Sequence, residues 1–213
     1  MTFVKPPADQ DVSEKVAQTY SRIREVLETE QIPEVFRCMA VVPPLLNDFF
    51  MNFRKFVLSD GKLNQKQKLL IAAAVAGQSG SLKWLEYLMT LAPARSVSQA
   101  EITEVLAVGA TNSMYNVLFK FRAISGTEIF HGMGVGLRAH TFQNTSLGEP
   151  LVELINLALS TVNGCQPCTT AHVARARGLG LSDEAIHEAV QCAATMICGT
   201  QFLRSVGACT EAP

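Results

Sequence analysis

The sequence predicts an all-α fold, read as a single helical domain over residues 1–213. Three observations predict it. Apolar residues recur at spacings of three and four along successive segments, which is the helical period. Capping residues and small-residue breaks punctuate those segments. No alternating run of β-branched residues marks a strand.

Taken in order, residues from about Asp11 to Glu30 place Val12, Val16, Tyr20, Ile23 and Leu27 on one face of an amphipathic helix. Pro43 and Pro44 suit the first turn of a second helix, which runs through Phe49, Phe50, Phe53 and Phe56 and stops near Gly61. The phenylalanine stripe reads as core, with part of it open to a subunit contact or an entry for an apolar substrate. An Ala- and Leu-rich helix follows from about Asn64 to Gly77, and Ser79-Gly80-Ser81 breaks it. A short helix covers Leu82 to Leu91, with Trp84 read as packing. Ser98 and Glu101 form a capping box for the next helix. Gly126 to Gly148 has no sustained period and reads as loops and short turns. Helix resumes near Pro150, breaks at Asn163-Gly164, restarts around Cys165, ends near Gly178 and begins again after Ser182.

A faint internal repeat runs through this order. The segment from Leu181, Leu-Ser-Asp-Glu-Ala-Ile-His-Glu-Ala-Val, resembles Val-Ser-Gln-Ala-Glu-Ile-Thr-Glu-Val-Leu from Val97. A degenerate first repeat is expected over about 43–123 and a second over about 147–205. Where the later copy carries Cys165, Cys168 and His172, the same offset puts Ser81, Trp84 and Leu88 in the earlier one. The first copy is therefore expected to be scaffold, and the second to hold the chemistry.

Composition narrows the function classes. Hydrophobic residues make up 48% and charged residues 17%, an apolar balance that implies surface buried against other subunits. A net charge of −1 without a Lys/Arg run argues against a nucleic-acid partner. No uninterrupted apolar run of about 18 residues appears, so no membrane span is expected. The opening Met-Thr-Phe-Val-Lys-Pro-Pro lacks the charged-then-apolar order of a signal peptide, and a cytoplasmic location is expected. The six cysteines, at 38, 165, 168, 192, 198 and 209, fit a local redox or metal site better than a disulfide framework.

The chemistry gathers between Glu153 and His172. Cys165, Cys168 and His172 stand at i, i+3 and i+7, which sets them in a narrow stripe on one helix face. Asn163-Gly164 is a turn signal, and Pro167 is best tolerated in a first helical turn. Both cysteines therefore sit at a helix amino terminus, where unpaired N–H groups and the macrodipole favour thiolate over thiol. A free cysteine titrates near 8.5, and such placement lowers that by ~1 unit or more. The spacing also lets the two sulfurs bond with little backbone movement. By helix-end position alone, Cys165 would be the more exposed attacker. His172 lies one turn beyond Cys168, within reach directly or through a water. Glu153 lies on the preceding helix, and the Asn-Gly turn can fold it back to orient the imidazole and accept a proton.

The pattern Glu-x11-Cys-x-x-Cys-x-x-x-His, with Asn-Gly before the first cysteine, resembles the signature of alkylhydroperoxidase D within the carboxymuconolactone decarboxylase superfamily. The likeness reaches back through Met114-Tyr115-Asn116-Val117 and the Gly-rich loop Gly132 to Leu137, and forward through the helix after Ser182. It is close over the second half of the chain and covers the first half only as a helical layout. The resemblance implies an all-helical subunit, assembled as a homotrimer or hexamer, that reduces hydroperoxides. By position it implies that Cys168 is the peroxidatic thiolate and Cys165 the resolving thiol of a redox-active disulfide, with Glu153 and His172 moving protons. It implies no bound cofactor, and an external dithiol reductant such as a lipoylated or thioredoxin-like protein. At Pro167 the chain departs from the family, whose members carry a histidine immediately before the second cysteine.

The remaining candidates read as ordinary. Cys192 and Cys198 read as core or interface, as do Cys38 and Cys209. His131, His140 and His187 are isolated, and Glu149 is a solvated helix residue that serves as a control for Glu153. Two other functions stay open: a lactone decarboxylase of the same superfamily, whose members generally do not depend on a Cys-x-x-Cys pair, and a non-catalytic redox-sensing or zinc-binding helical module. For zinc, Cys165, Cys168 and His172 supply three ligands without an obvious fourth.

Overall fold

The computed structural model describes residues 5–8 and 11–207, and among these it is helical with no strand. The helices are α1 (Glu14–Leu27), α2 (Glu34–Arg37), α3 (Pro43–Phe53), α4 (Gln65–Gln78), α5 (Leu82–Leu91), α6 (Gln99–Ile124), α7 (Glu149–Val162), α8 (Gln166–Gly178) and α9 (Asp183–Val206). The all-α expectation holds.

Local chemistry accounts for most boundaries. Ser13 caps α1, Asn64 and Gln67 close a capping box on α4, and Ser98 and Glu101 close another on α6. Ser182 caps α9, and a proline stands in the first turn of α3, α7 and α8. The segment between α6 and α7 holds only two short 3₁₀ turns, Glu128–Phe130 and His140–Phe142.

Helices α4 and α7 form the centre. Lys68 to Ala76 of α4 and Leu151 to Ser160 of α7 are buried without interruption, as expected of helices covered on every side. Helix α4 packs on α5, α6, α7 and α9, and α7 packs on α6, α8 and α9. At one end Phe36, Phe49, Phe53, Trp84 and Tyr87 make a cluster of mostly edge-to-face and tilted rings. The phenylalanine stripe departs from its expected register at its end. A wide π turn over Arg54–Leu58 follows α3, so Val57 and Leu58 turn inward while Phe56 is only half-buried.

The two halves take the same course. Each has a buried helix, a left-handed glycine, a short helix and a serine-capped long helix. Gly80 and Gly164 have φ of 66° and 64°, a region glycine enters without a Cβ penalty. Ser81 (φ −91°, ψ 82°) and Cys165 (φ −88°, ψ 87°) follow them in matching conformation. The Ser81 amide donates to the Ala76 carbonyl at 3.0 Å, and the Cys165 amide donates to the Ser160 carbonyl at 2.9 Å. This turn points α8 back along α7, which brings residues of both helices to one place.

One buried charge ties the scaffold together. Lys68 is fully buried, and its Nζ donates to Glu188 Oε1 at 2.8 Å and to the Ser59 carbonyl at 2.7 Å. Burial pushes the Glu188 carboxyl up, but hydrogen bonds from Lys68 and the Leu63 amide outweigh it and hold the group below its ordinary value of 4.5. The folded state therefore gains stability from Glu188 above that value and loses it as pH falls through the lower folded value. Glu188→Ala leaves an ammonium buried with one acceptor and is expected to cost about 3 kcal/mol at neutral pH. Urea unfolding of the variant at pH 7 and pH 4 measures this. An equal loss at both would remove the charge from the explanation.

Candidate active site

The α8 amino terminus carries the Cys165–Cys168 pair. Cys165 is the N-cap residue and Cys168 the third residue of the helix, and a disulfide joins them. Cys168 thus lies among the first-turn N–H groups at the positive end of the helix dipole. Their accessibilities reverse the helix-end expectation. Cys165 is 0% exposed, drawn inward by the hydrogen bond its N–H donates to the Ser160 carbonyl, whereas Cys168 is 6% exposed and faces a cavity. The physical reason is the turn: a terminal position in sequence is an interior one once α8 folds back on α7.

Glu153 and His172 meet across the α7–α8 contact. Glu153 is 4% exposed, and the Nδ1–H of His172 donates to its Oε1 at 2.5 Å. Facing a carboxylate, which only accepts, Nδ1 is the donor of this contact, and Nε2 stays outside it. The structure therefore brings together all four residues that the sequence singled out: Cys165, Cys168, Glu153 and His172.

A residue not anticipated from the sequence stands beside them. Arg175, one turn beyond His172, sets its Nε 3.4 Å from Glu153 Oε2 and its Nη2 2.6 Å from Glu149 Oε1. Glu149 is consequently not isolated from the site; it touches the guanidinium that touches Glu153. Both outer partners are open to water, at 63% and 56% exposure, so this pair is worth little by itself. The signal in the sequence was the i, i+4 spacing of Glu149 and Glu153 opposite the i, i+3 spacing of His172 and Arg175.

Next to Cys168 lies an apolar cavity of about 250 Å³, lined by Tyr115, Phe119, Phe142, Pro167 and Ala171 with His172, Asn112 and Asn116. The α6–α7 loop builds its rim. Tyr115 Oη donates to the Leu137 carbonyl at 2.8 Å, and Thr141 and Thr111 hydroxyls pair at 2.6 Å, next to Phe142 in the cavity wall. Beneath it a buried amide chain joins α6 to α7. Asn112 Nδ2 donates to Asn156 and Ser160, Asn116 Nδ2 donates to Ser160, and Asn163 Nδ2 donates to Asn116. Burying these NH₂ donors is tolerable because each finds an acceptor within the chain.

The other cysteines lie elsewhere. Cys192 is fully buried, and burial pushes its thiol up to about 12. Cys198 is exposed on the far side of α9, beside Phe49 and Phe56, so it does not fill core. Cys38 is buried and disulfide-bonded, which extends cysteine pairing beyond the local motif, and Cys209 falls outside the described residues. His131 bonds the Arg122 carbonyl at 3.0 Å in the surface loop. Among the described residues, no group of three or more His, Cys, Asp or Glu side chains is arranged to hold a metal ion, and no helix is long and apolar enough to cross a membrane.

Comparison with known proteins gives consistent matches. The profile of the Carboxymuconolactone decarboxylase family matches residues 44–123 and 133–211. The chain is 31% identical over 167 residues to a protein of Anaeromyxobacter dehalogenans (strain 2CP-1) named Alkyl hydroperoxide reductase AhpD, covering 78% of this chain and 88% of that one. Proteins of the same name from Frankia alni and from a Methylobacterium strain are 29% and 27% identical, covering 76% and 78% of this chain and 86% and 94% of theirs.

Burial and the cavity together rank the thiols. In the reduced protein at pH 7, a brief pulse of iodoacetamide is expected to label Cys168 at least tenfold faster than Cys165 or Cys192, following thiolate character and access. Peptide mass mapping reads the order. Labelling of Cys165 ahead of Cys168 would reverse the ranking.

Proposed function

The chain belongs to the carboxymuconolactone decarboxylase family, and from that membership and the site's geometry we propose that it is a thiol-dependent peroxidase reducing organic hydroperoxides. One observation carries the proposal: a Cys165–Cys168 pair close enough to bond, at a helix tip, beside a buried Glu153–His172 contact and an apolar cavity. The names of the relatives point the same way.

The cycle begins with both cysteines reduced. Cys168 gives its thiol proton to Nε2 of His172, whose imidazolium Glu153 stabilises through Nδ1. The thiolate attacks the terminal oxygen of ROOH. An S–O bond forms, the O–O bond breaks, and the departing alkoxide takes a proton from His172 to leave as ROH. Sulfur is thereby oxidised to sulfenic acid. Cys165 then attacks that sulfur, and its proton leaves with the hydroxyl as water as the disulfide forms. An external dithiol, on a lipoylated or thioredoxin-like protein, supplies two electrons and two protons to reopen it. Neither metal nor bound organic cofactor enters this scheme. Without a histidine at Pro167, activation falls to the helix terminus and His172.

The same reading places the enzyme in the reducing cytoplasm as a homotrimer or hexamer. What supports assembly is a stripe of exposed apolar residues on α6, Met114, Val117, Phe121 and Ile124, continued by Ile129 and Met133. The second repeat would carry catalysis, because Ser81, Trp84 and Leu88 of the first cannot perform it.

Two sets of variants test the assignment. Cys168→Ser is expected to abolish consumption of cumene hydroperoxide with dihydrolipoamide as donor, whereas Cys165→Ser allows a single oxidation that stalls as a sulfenic acid, trapped by dimedone. Loss of that first oxidation in Cys165→Ser would exchange the two roles. Glu153→Gln is expected to slow turnover at neutral pH on the order of 100-fold, and Glu149→Gln only a few-fold. Equal effects would take Glu153 out of proton transfer.

A further inference from the structure

Asn112, in the wall of the cavity beside Cys168, carries a polar atom that the protein itself leaves unused. Asn112 is 1% exposed and lines that cavity, yet its Oδ1 has no hydrogen-bond partner. A buried acceptor left unpaired bears its full desolvation cost, so such an atom calls for a reason. The orientation of the amide is fixed by its other end. Nδ2 lies 3.2 Å from the backbone carbonyl of Asn156, which can only accept, and 3.1 Å from both Asn156 Oδ1 and Ser160 Oγ. The NH₂ group must face α7, and Oδ1 must point away from it.

We infer that Asn112 is the residue that seats the substrate, its Oδ1 accepting the O–H of an organic hydroperoxide whose carbon substituent fills the aromatic sleeve of Tyr115, Phe119 and Phe142. The inference rests on the peroxidase reading and narrows its substrate class. The other walls carry the logic. Asn116 is already engaged, donating to Ser160 and accepting from Asn163, and Nε2 of His172 is taken up by the Cys168 proton, so Asn112 supplies an acceptor with free capacity. The terminal O–H of ROOH is the only donor an alkyl or aralkyl hydroperoxide carries, and bonding it holds the O–O axis at a fixed end of a cavity that Cys168 also lines. The apolar sleeve gives hydrogen peroxide nothing to bury, so the site prefers substituted hydroperoxides over it. The alcohol product carries the same O–H and is held the same way; a dialkyl peroxide or an ether has no such donor and leaves Oδ1 unpaired. A site built to pair with a substrate donor discriminates strongly against analogues lacking it.

The test uses reduced full-length protein and two non-reacting probes, cumyl alcohol and cumyl methyl ether, as protectants of Cys168 against iodoacetamide. The alcohol is expected to protect at about tenfold lower concentration than the ether. In Asn112→Leu the gap closes. That variant also removes the amide contacts to Asn156 and Ser160 of α7, so its helicity and unfolding midpoint are checked first; should it fail to fold, the wild-type comparison decides alone. Equal protection by alcohol and ether in the wild type, no protection by either, or a gap that persists in folded Asn112→Leu each overturns the role of Asn112. Failure of the peroxidase reading shows separately, as reduced wild-type protein that does not consume cumene hydroperoxide, and the protection assay reads binding without depending on turnover.

Discussion

The contact between Glu153 and His172 is the constraint on which the rest of the site depends. A carboxylate on a helix that is buried on every side is costly unless it is paired, and here its pairing comes from the next helix. That requirement fixes how α8 lies on α7. The left-handed Gly164 and the hydrogen bond from the Cys165 N–H to the Ser160 carbonyl make the reversal, and Pro167 starts the new helix. Once His172 is held by its Nδ1, its Nε2 stays outside that contact, and the residue lines the same cavity as Cys168. The histidine is thus oriented by the same interaction that satisfies the buried acid.

A comparison of the two halves shows what chemistry adds to a scaffold. Both use the same glycine-centred turn and the same capped long helix, so the fold itself does not require reactive residues. In the first half the positions matching Cys168 and His172 are Trp84 and Leu88, both buried in an apolar cluster. Trp84 anchors that cluster against Phe36, Phe49 and Phe53, where packing is the whole task. In the second half the same space holds two sulfurs, an imidazole and an amide chain. The polar groups there are supported from α6, through Asn112 and Asn116, so the long helix of the first half forms one wall of the site in the second.

Much of this was legible in the sequence because its signals are local. Capping boxes at Asn64 and Ser98, the serine before α9 and the prolines at helix starts each act within one turn, and they mark most helix beginnings. The stripe of Cys165, Cys168 and His172 follows from helical period alone. What was not legible arises from contacts between distant segments. Arg175 gains meaning only when α8 is laid antiparallel on α7, and Asn112 only when α6 closes the cavity. Lys68 reads as a surface lysine until Glu188, far along the chain, meets it in the interior. Cys165 looks exposed by helix position, and is buried because a backbone bond draws it in. The π turn after α3 shifts Phe56 off the core face without any residue that announces it.

The central claim is that peroxide oxidises this pair of sulfurs and no other group. Intact-mass spectrometry of the reduced protein after one equivalent of cumene hydroperoxide tests it most directly. The account predicts a loss of two hydrogens, localised to the peptide bearing Cys165 and Cys168, with one equivalent of cumyl alcohol released. An unchanged mass, or oxygen added at Cys198 while Cys165 and Cys168 stay reduced, would contradict it.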